Sequence, residues 1–392
     1  MGLELHTMIK PTKIYIMINS CPCCGKSSFT EIFKNDNIPQ YNLSYQETLN
    51  KALDIPNVCV NFVKCNNCEF TFNKEYTQLD YLVEYNVNRS HSTVFNEYLN
   101  KIISKLLINL PNEINNVVEV GASHCDFANA LLNEKPNLNY FAYDPSTTTT
   151  NININKNLHF FKTYYDVSFF NKPDLLILRH VLEHISNIRK FMNIILHEGP
   201  KYLFIEIPCF EFIERENGYN YHYFSNEHCS YFNTNSFKYF MNSLGYFPIY
   251  LDREFGGEYI VSFWQKQSEK KLQKVVLSQT NINKLVGNFN SWKLLIKNQI
   301  LDNSIIWGAG GKGVMLTNIL ELNHENTPFI IDLNKDIQGK YIPSNGIQIV
   351  SPEILLEYNL SSVINLNPLY NVEIKNHVSK LGLNTNVINL FK

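Results

Sequence analysis

Two cysteine clips near the start of the chain, Cys21-Pro22-Cys23-Cys24 and Cys65-Asn66-Asn67-Cys68, constrain it more than any other feature. A two-residue spacer lets both sulfurs of a clip face one ion. Two clips then close a four-coordinate thiolate shell with no position left for water. Cys21, Cys24, Cys65 and Cys68 are therefore expected to hold a structural Zn2+, and chemistry must be sought elsewhere. Cys23, inside the first clip, and Cys59, six residues before the second, are alternative ligands by position. The clips define a small head, residues 1–80, whose modest core needs a metal staple.

The 392 residues leave room for two or three domains. A hydrophobic share of 44% and a charged share of 18% are those of a globular protein. The net charge of −2 gives no electrostatic reason to expect nucleic acid or an anionic membrane as partner, so a small-molecule substrate fits better. There is no apolar run of about 18 residues, and Met1-Gly2-Leu3-Glu4-Leu5-His6 has neither a signal-peptide profile nor a myristoylation pattern. The reading is a cytoplasmic protein whose nine cysteines serve as metal ligands and free thiols. The Asn, Ile and Lys richness, as in Thr150-Asn151-Ile152-Asn153-Ile154-Asn155, reads as a compositional bias of the source.

Beyond the head, apolar residues recur at helical spacing over Thr93 to Leu110. Strand-like runs follow at Val117–Val120, Tyr140–Tyr143, Leu175–Leu178 and Tyr202–Ile207, separated by mostly helical segments, which predicts a parallel sheet covered on both faces. Phe247 to Gln265 reads as a hairpin around Gly256-Gly257. A polar, lysine-rich helical stretch from Ser268 to about Asn298 leads into a third region. There Ser304–Trp307, Pro328–Asp332, Ser362–Leu366 and Val387–Leu390 read as strands of a second doubly wound α/β domain. The expected domains are 1–80, 81–266 and 267–392.

The first strand of the middle domain runs into Glu119-Val120-Gly121-Ala122-Ser123. A glycine at a strand's carboxyl end lets the backbone pass close to a ligand, and an acidic residue ending the next strand, Asp144, bonds two ribose hydroxyls; the pair reads as a nucleoside site. The third strand delivers Arg179-His180-Val181-Leu182-Glu183-His184-Ile185 to the same edge. In the tail, Gly308-Ala309-Gly310-Gly311-Lys312-Gly313 with Asp332 mimics a dinucleotide fingerprint.

These parts in this order resemble the sugar C-methyltransferases, which use S-adenosylmethionine to methylate nucleotide-linked deoxyketosugars. The resemblance covers nearly the whole chain. It implies a zinc-binding head, a class I methyltransferase Rossmann-like core and a second Rossmann-like domain. It places S-adenosylmethionine among Tyr85, Glu119, Gly121, Ser123, Asp144 and His180. In that family an E-H pair lies in the substrate cleft, and here it reads Asn226-Glu227-His228-Cys229-Ser230-Tyr231-Phe232. His228 is then the candidate base, with Glu227 to orient or partner it. Methyl transfer to carbon needs an enolate formed beside a carbonyl, and an imidazole near neutral pKa suits that proton removal. Where the family has a tyrosine shortly before the pair, this chain has Phe224-Ser225-Asn226, with Tyr221 and Tyr223 earlier. The tail is implied to enclose the nucleotide sugar, with Lys312 or its helix N-terminus at a phosphate. The rival readings are O- or N-methylation of a sugar, an NAD-dependent oxidoreductase using the tail, and a zinc-ribbon nucleic-acid binder, which the lack of a strong basic run disfavours.

Overall fold

The computed structural model describes residues 14–79, 91–145, 155–166, 173–197, 199–215, 218–267, 289–300 and 303–391. The helix predicted from Thr93 runs over Thr93–Asn109. The Ser92 hydroxyl caps it by accepting from the Phe95 N–H, and Phe95, Leu99, Ile102, Ile103 and Leu106 form its buried face. It lies beside a seven-stranded sheet. In chain order the strands are Asn116–Val120, Asn139–Tyr143, Leu158–Phe161, Leu175–Arg179, Tyr202–Pro208, Tyr246–Glu254 and Tyr259–Lys266. Counted in that order they lie 3-2-1-4-5-7-6 across the sheet, and only the seventh runs against the others. This is the class I methyltransferase arrangement expected for the core. The fourth and fifth strands are near-continuous apolar runs because elements cover them on both faces. The hairpin predicted around Gly256-Gly257 supplies the sixth and seventh strands.

The tail is a smaller parallel sheet of Ser304–Trp307, Phe329–Ile331, Gln348–Val350, Ser362–Asn365 and Asn386–Asn389. Its order, 3-2-1-4-5, repeats the parallel half of the core. In the head, Phe29–Pro39, Asn57–Cys65 and Thr71–Asn73 form an antiparallel sheet whose fourth strand, Ser230–Tyr231, comes from the core. The head thus reaches into the segment that carries the E-H pair. Of the polar stretch predicted between core and tail, Phe289–Gln299 is helical, and its Phe289 and Trp292 rings pack on Tyr221; residues 268–288 lie outside the described residues. Among the described residues no helix is long and apolar enough to cross a membrane.

Candidate active site and metal centre

The two cysteine clips meet. Cys21 Sγ lies 3.6 Å from Cys68 Sγ and Cys24 Sγ lies 3.6 Å from Cys65 Sγ, with all four sulfurs within 4.8 Å of one another. Zinc–sulfur bonds of about 2.3 Å in a tetrahedron require sulfur–sulfur edges of about 3.8 Å, so this donor set fits Zn2+. Each clip is closed by a left-handed residue just after its second cysteine, Gly25 (φ 76°) and Glu69 (φ 61°), which turns the chain so that both sulfurs point the same way. The two alternative ligands stand apart from this set. Of these, the Cys59 thiol donates to Glu75 at 3.3 Å, away from the cluster, while Cys23 is not one of the four cysteines whose sulfurs lie within 4.8 Å of one another.

At the carboxyl edge of the core sheet, backbone strain collects. Gly121 (φ 77°), Ser123 (φ 45°), Cys125 (φ 59°) and His180 (φ 53°) all sit in the left-handed region. Three of the sequence-predicted cofactor residues converge there: the Ser123 N–H donates to Asp144 Oδ2 at 2.8 Å, one turn past Gly121. A Cβ at Gly121 would lie 2.5 Å from Val181 Cγ2, so the residue must be glycine both for its φ and for its packing. His180 stands at the neighbouring strand end between two carboxylates, Nδ1 3.2 Å from Glu183 and Nε2 3.3 Å from Glu206. Glu119 takes a different position. Its carboxyl is buried within the sheet, accepts from the Tyr140 hydroxyl at 2.8 Å, and is pushed up to about 7 by burial, with Arg179 opposing. Tyr85 lies outside the described residues.

Asp144→Ala removes the anionic acceptor at the strand end. It is expected to cost about 1.5–3 kcal/mol, roughly tenfold or more, in affinity for S-adenosylhomocysteine measured by calorimetry. Unchanged affinity would place the nucleoside site elsewhere.

The E-H pair lies where head and core meet. Glu227 is buried, and its Oε1 accepts from the backbone N–H groups of Asn42 (2.6 Å) and Leu43 (3.2 Å) in the head. Its carbonyl accepts from His184 Nδ1 at 3.0 Å. Since a carbonyl can only accept, His184 carries its proton on Nδ1. Burial holds the His184 imidazole below its usual range, which favours the neutral ring. His228 packs edge-to-face on His184, ring centroids 4.8 Å apart, and its backbone N–H is fixed by the Ser225 hydroxyl at 3.1 Å. The Glu183 carboxylate joins them, so that Glu183, His184 and His228 each present a donor atom within 4.8 Å of the others. Sequence reasoning placed Glu183 and His184 at the sheet edge but did not join them to His228. The signal was their position at the fourth strand's carboxyl end, where open α/β sheets bind ligands. Of the two tyrosines ahead of the pair, Tyr221 is buried against Phe33, Phe224 and Trp292, while the Tyr223 ring lies under the Lys312 ammonium.

The tail's glycine-rich turn repeats the hydrogen-bond geometry of the Gly121 turn. Gly308 N–H donates to the Ile331 carbonyl at 2.7 Å, as Gly121 does to Tyr143 at 2.8 Å, and Ala309 N–H donates to Asp332 Oδ2 at 2.7 Å, as Ser123 does to Asp144. A Cβ on Gly313 would fall 1.9 Å from the Gly308 carbonyl, so the last glycine lets helix and strand close up. By contrast, Gly308, Gly310 and Gly311 face open space. That space is a cavity of about 280 Å³ lined by this turn, by Asp332, by Tyr45 of the head and by Glu258 of the core. Lys312 reaches its edge, paired with Glu258 at 2.6 Å. The Tyr45 hydroxyl donates to the Ala309 carbonyl at 2.9 Å, so one head loop touches both Glu227 and the tail's turn.

Residues 91–250 match the model of a methyltransferase domain, and residues 287–384 match that of a C-methyltransferase C-terminal domain. No curated protein matches the chain. Among solved structures the chain is similar to human N-acetylserotonin methyltransferase, at 12% identity over 45% of this chain and 53% of that one, with a TM-score of 0.37. It is likewise similar to the 1,6-didemethyltoxoflavin N1-methyltransferase of Burkholderia thailandensis, at 13% identity over 45% of this chain and 81% of that one, with a TM-score of 0.34.

Proposed function

We propose that this S-adenosylmethionine-dependent methyltransferase transfers the methyl group to a nucleotide-linked ketosugar, at a carbon beside the sugar's carbonyl. The observation that carries this reading is the second nucleoside-type turn. One chain holds two such turns, Gly121 with Asp144 and Gly308 with Asp332, and the second opens on a cavity that head, core and tail line together. The first suits the adenosyl group of the cofactor; the second suits the nucleotide of the acceptor, with Lys312 and the helix Gly311–Ile319 at its phosphates. The match of residues 287–384 to a C-methyltransferase C-terminal domain supports carbon as the acceptor atom.

S-adenosylmethionine, held by the Gly121 turn and Asp144, supplies an electrophilic methyl. The chain's own residues do the rest. His228 removes a proton beside the carbonyl to leave a nucleophilic carbon, and the neutral His184 packs edge-to-face on its ring. Glu227 holds the head's Asn42–Leu43 backbone over the cleft, which orders the wall that excludes water. The four-cysteine centre binds structural zinc and takes no part in the chemistry. Four zinc thiolates and five further cysteines, none in a disulfide, suit a cytosolic, reducing location.

The test is a panel of nucleotide-linked ketosugars read by mass for one added methyl and then by NMR for its position. A methyl on carbon next to the carbonyl is expected. A methyl on oxygen or nitrogen would replace this reading with the O- or N-methyl one, and tight NAD binding without methyl transfer would overturn it.

A further inference from the structure

We infer that Glu183, His184 and His228 form a second metal site, at the carboxyl edge of the core sheet and separate from the cysteine centre, that takes one borderline divalent cation of the Zn2+ or Co2+ type. Three donors of the right kind lie together: one carboxylate oxygen and two imidazole nitrogens, all within 4.8 Å of one another. Small side-chain rotations bring them to the edges of about 3.4 Å that bonds of about 2.1 Å to a tetrahedral ion require. The surroundings already orient them as outer partners orient metal ligands. The Glu227 carbonyl holds the proton of His184 on Nδ1, which makes Nε2 the ligating nitrogen. His180 Nδ1 engages one oxygen of Glu183, and the other, Oε2, is buried with no hydrogen-bond partner among the described residues. A buried carboxylate oxygen left unpaired is costly, and a cation beside it removes that cost. Two imidazoles and one carboxylate select transition ions over Mg2+ or Ca2+, and three protein ligands leave a fourth coordination position open.

The catalytic consequence rests on the proposed role of His228. An ion bound to its ring occupies the lone pair that the base needs, so filling the site should stop proton removal.

The experiment uses full-length protein carrying one zinc per chain and titrates it with Co2+. One further equivalent should bind with weak visible absorption and no thiolate-to-cobalt band in the near ultraviolet. His184→Asn and Glu183→Gln should each weaken that binding tenfold or more, in protein whose S-adenosylhomocysteine binding shows that it has folded. Absence of a second equivalent, binding that ignores both substitutions, or a thiolate band alone would overturn the site. Binding that follows the substitutions yet leaves proton exchange at full rate would support the site and remove His228 as the base.

Discussion

Replacing His228 with alanine or asparagine is expected to abolish both methyl transfer and the exchange of the acceptor's proton for deuterium in heavy water, a loss of about 10²–10⁴ in rate for a general base. The exchange should occur in the parent even with S-adenosylhomocysteine in place of the methyl donor, because proton removal precedes methyl capture. Cofactor binding should survive, since Gly121 and Asp144 lie on strand ends other than the segment that holds His228. Glu227→Gln should cost less: an amide oxygen can still accept from the Asn42 and Leu43 N–H groups, though without the charge. A parent that methylates without exchanging would sink enolate chemistry and promote the O-methyl rival. A fully active His228→Ala would take the residue out of the mechanism.

Cys65→Ser should lower zinc below one per chain and reduce the melting temperature. Metal-linked folding free energy in small thiolate domains is on the order of 10 kcal/mol, and three remaining sulfurs cannot close the shell. The damage should spread beyond the head. Cys65 ends the strand Asn57–Cys65, which pairs with Thr71–Asn73, and that strand in turn pairs with Ser230–Tyr231, two residues past His228. Methyl transfer should therefore fall with zinc content although the metal takes no part in the chemistry. Full zinc occupancy with an unchanged melting curve would count against the centre.

What the sequence disclosed is what is local. The helix Thr93–Asn109 and the strands of core and tail announce themselves as apolar runs and periodicities, and the cysteine spacing already contains the geometry of the clip. Gly121 and Asp144 belong to the same class, since a strand end and its successor fix their meeting. The edge strand Leu158–Phe161 was missed because His159 and Phe161 are exposed, so it lacks the unbroken apolar run of the central strands. The strand Gln348–Val350, three residues long, is too short to show a period. The segment around Glu227 and His228 depends on long-range contacts. Glu227 meets Asn42 across 185 positions, Tyr45 meets Ala309 across 264, and Glu183 and His184 meet His228 only once the head sheet has captured Ser230–Tyr231. No residue pattern encodes such pairings, because they arise from how the head, core and tail pack together.

The head loop that touches Glu227 and Ala309 also governs how the chain can be divided. The expected divisions near residues 80 and 267 are crossed by closing contacts. Besides the loop's own two, the Ser344 N–H donates to the Ala52 carbonyl, Lys64 pairs with Glu214, and Asn367 donates to Glu258. A fragment spanning only the middle third would keep its cofactor turn yet expose the buried acids Glu227 and Glu258, each having lost a partner. Recombination between relatives faces the same restriction. A transplanted tail would still have to offer a carbonyl at position 309 to the head's Tyr45 hydroxyl, so what such a chain passes on is set by its seam as much as by its modules.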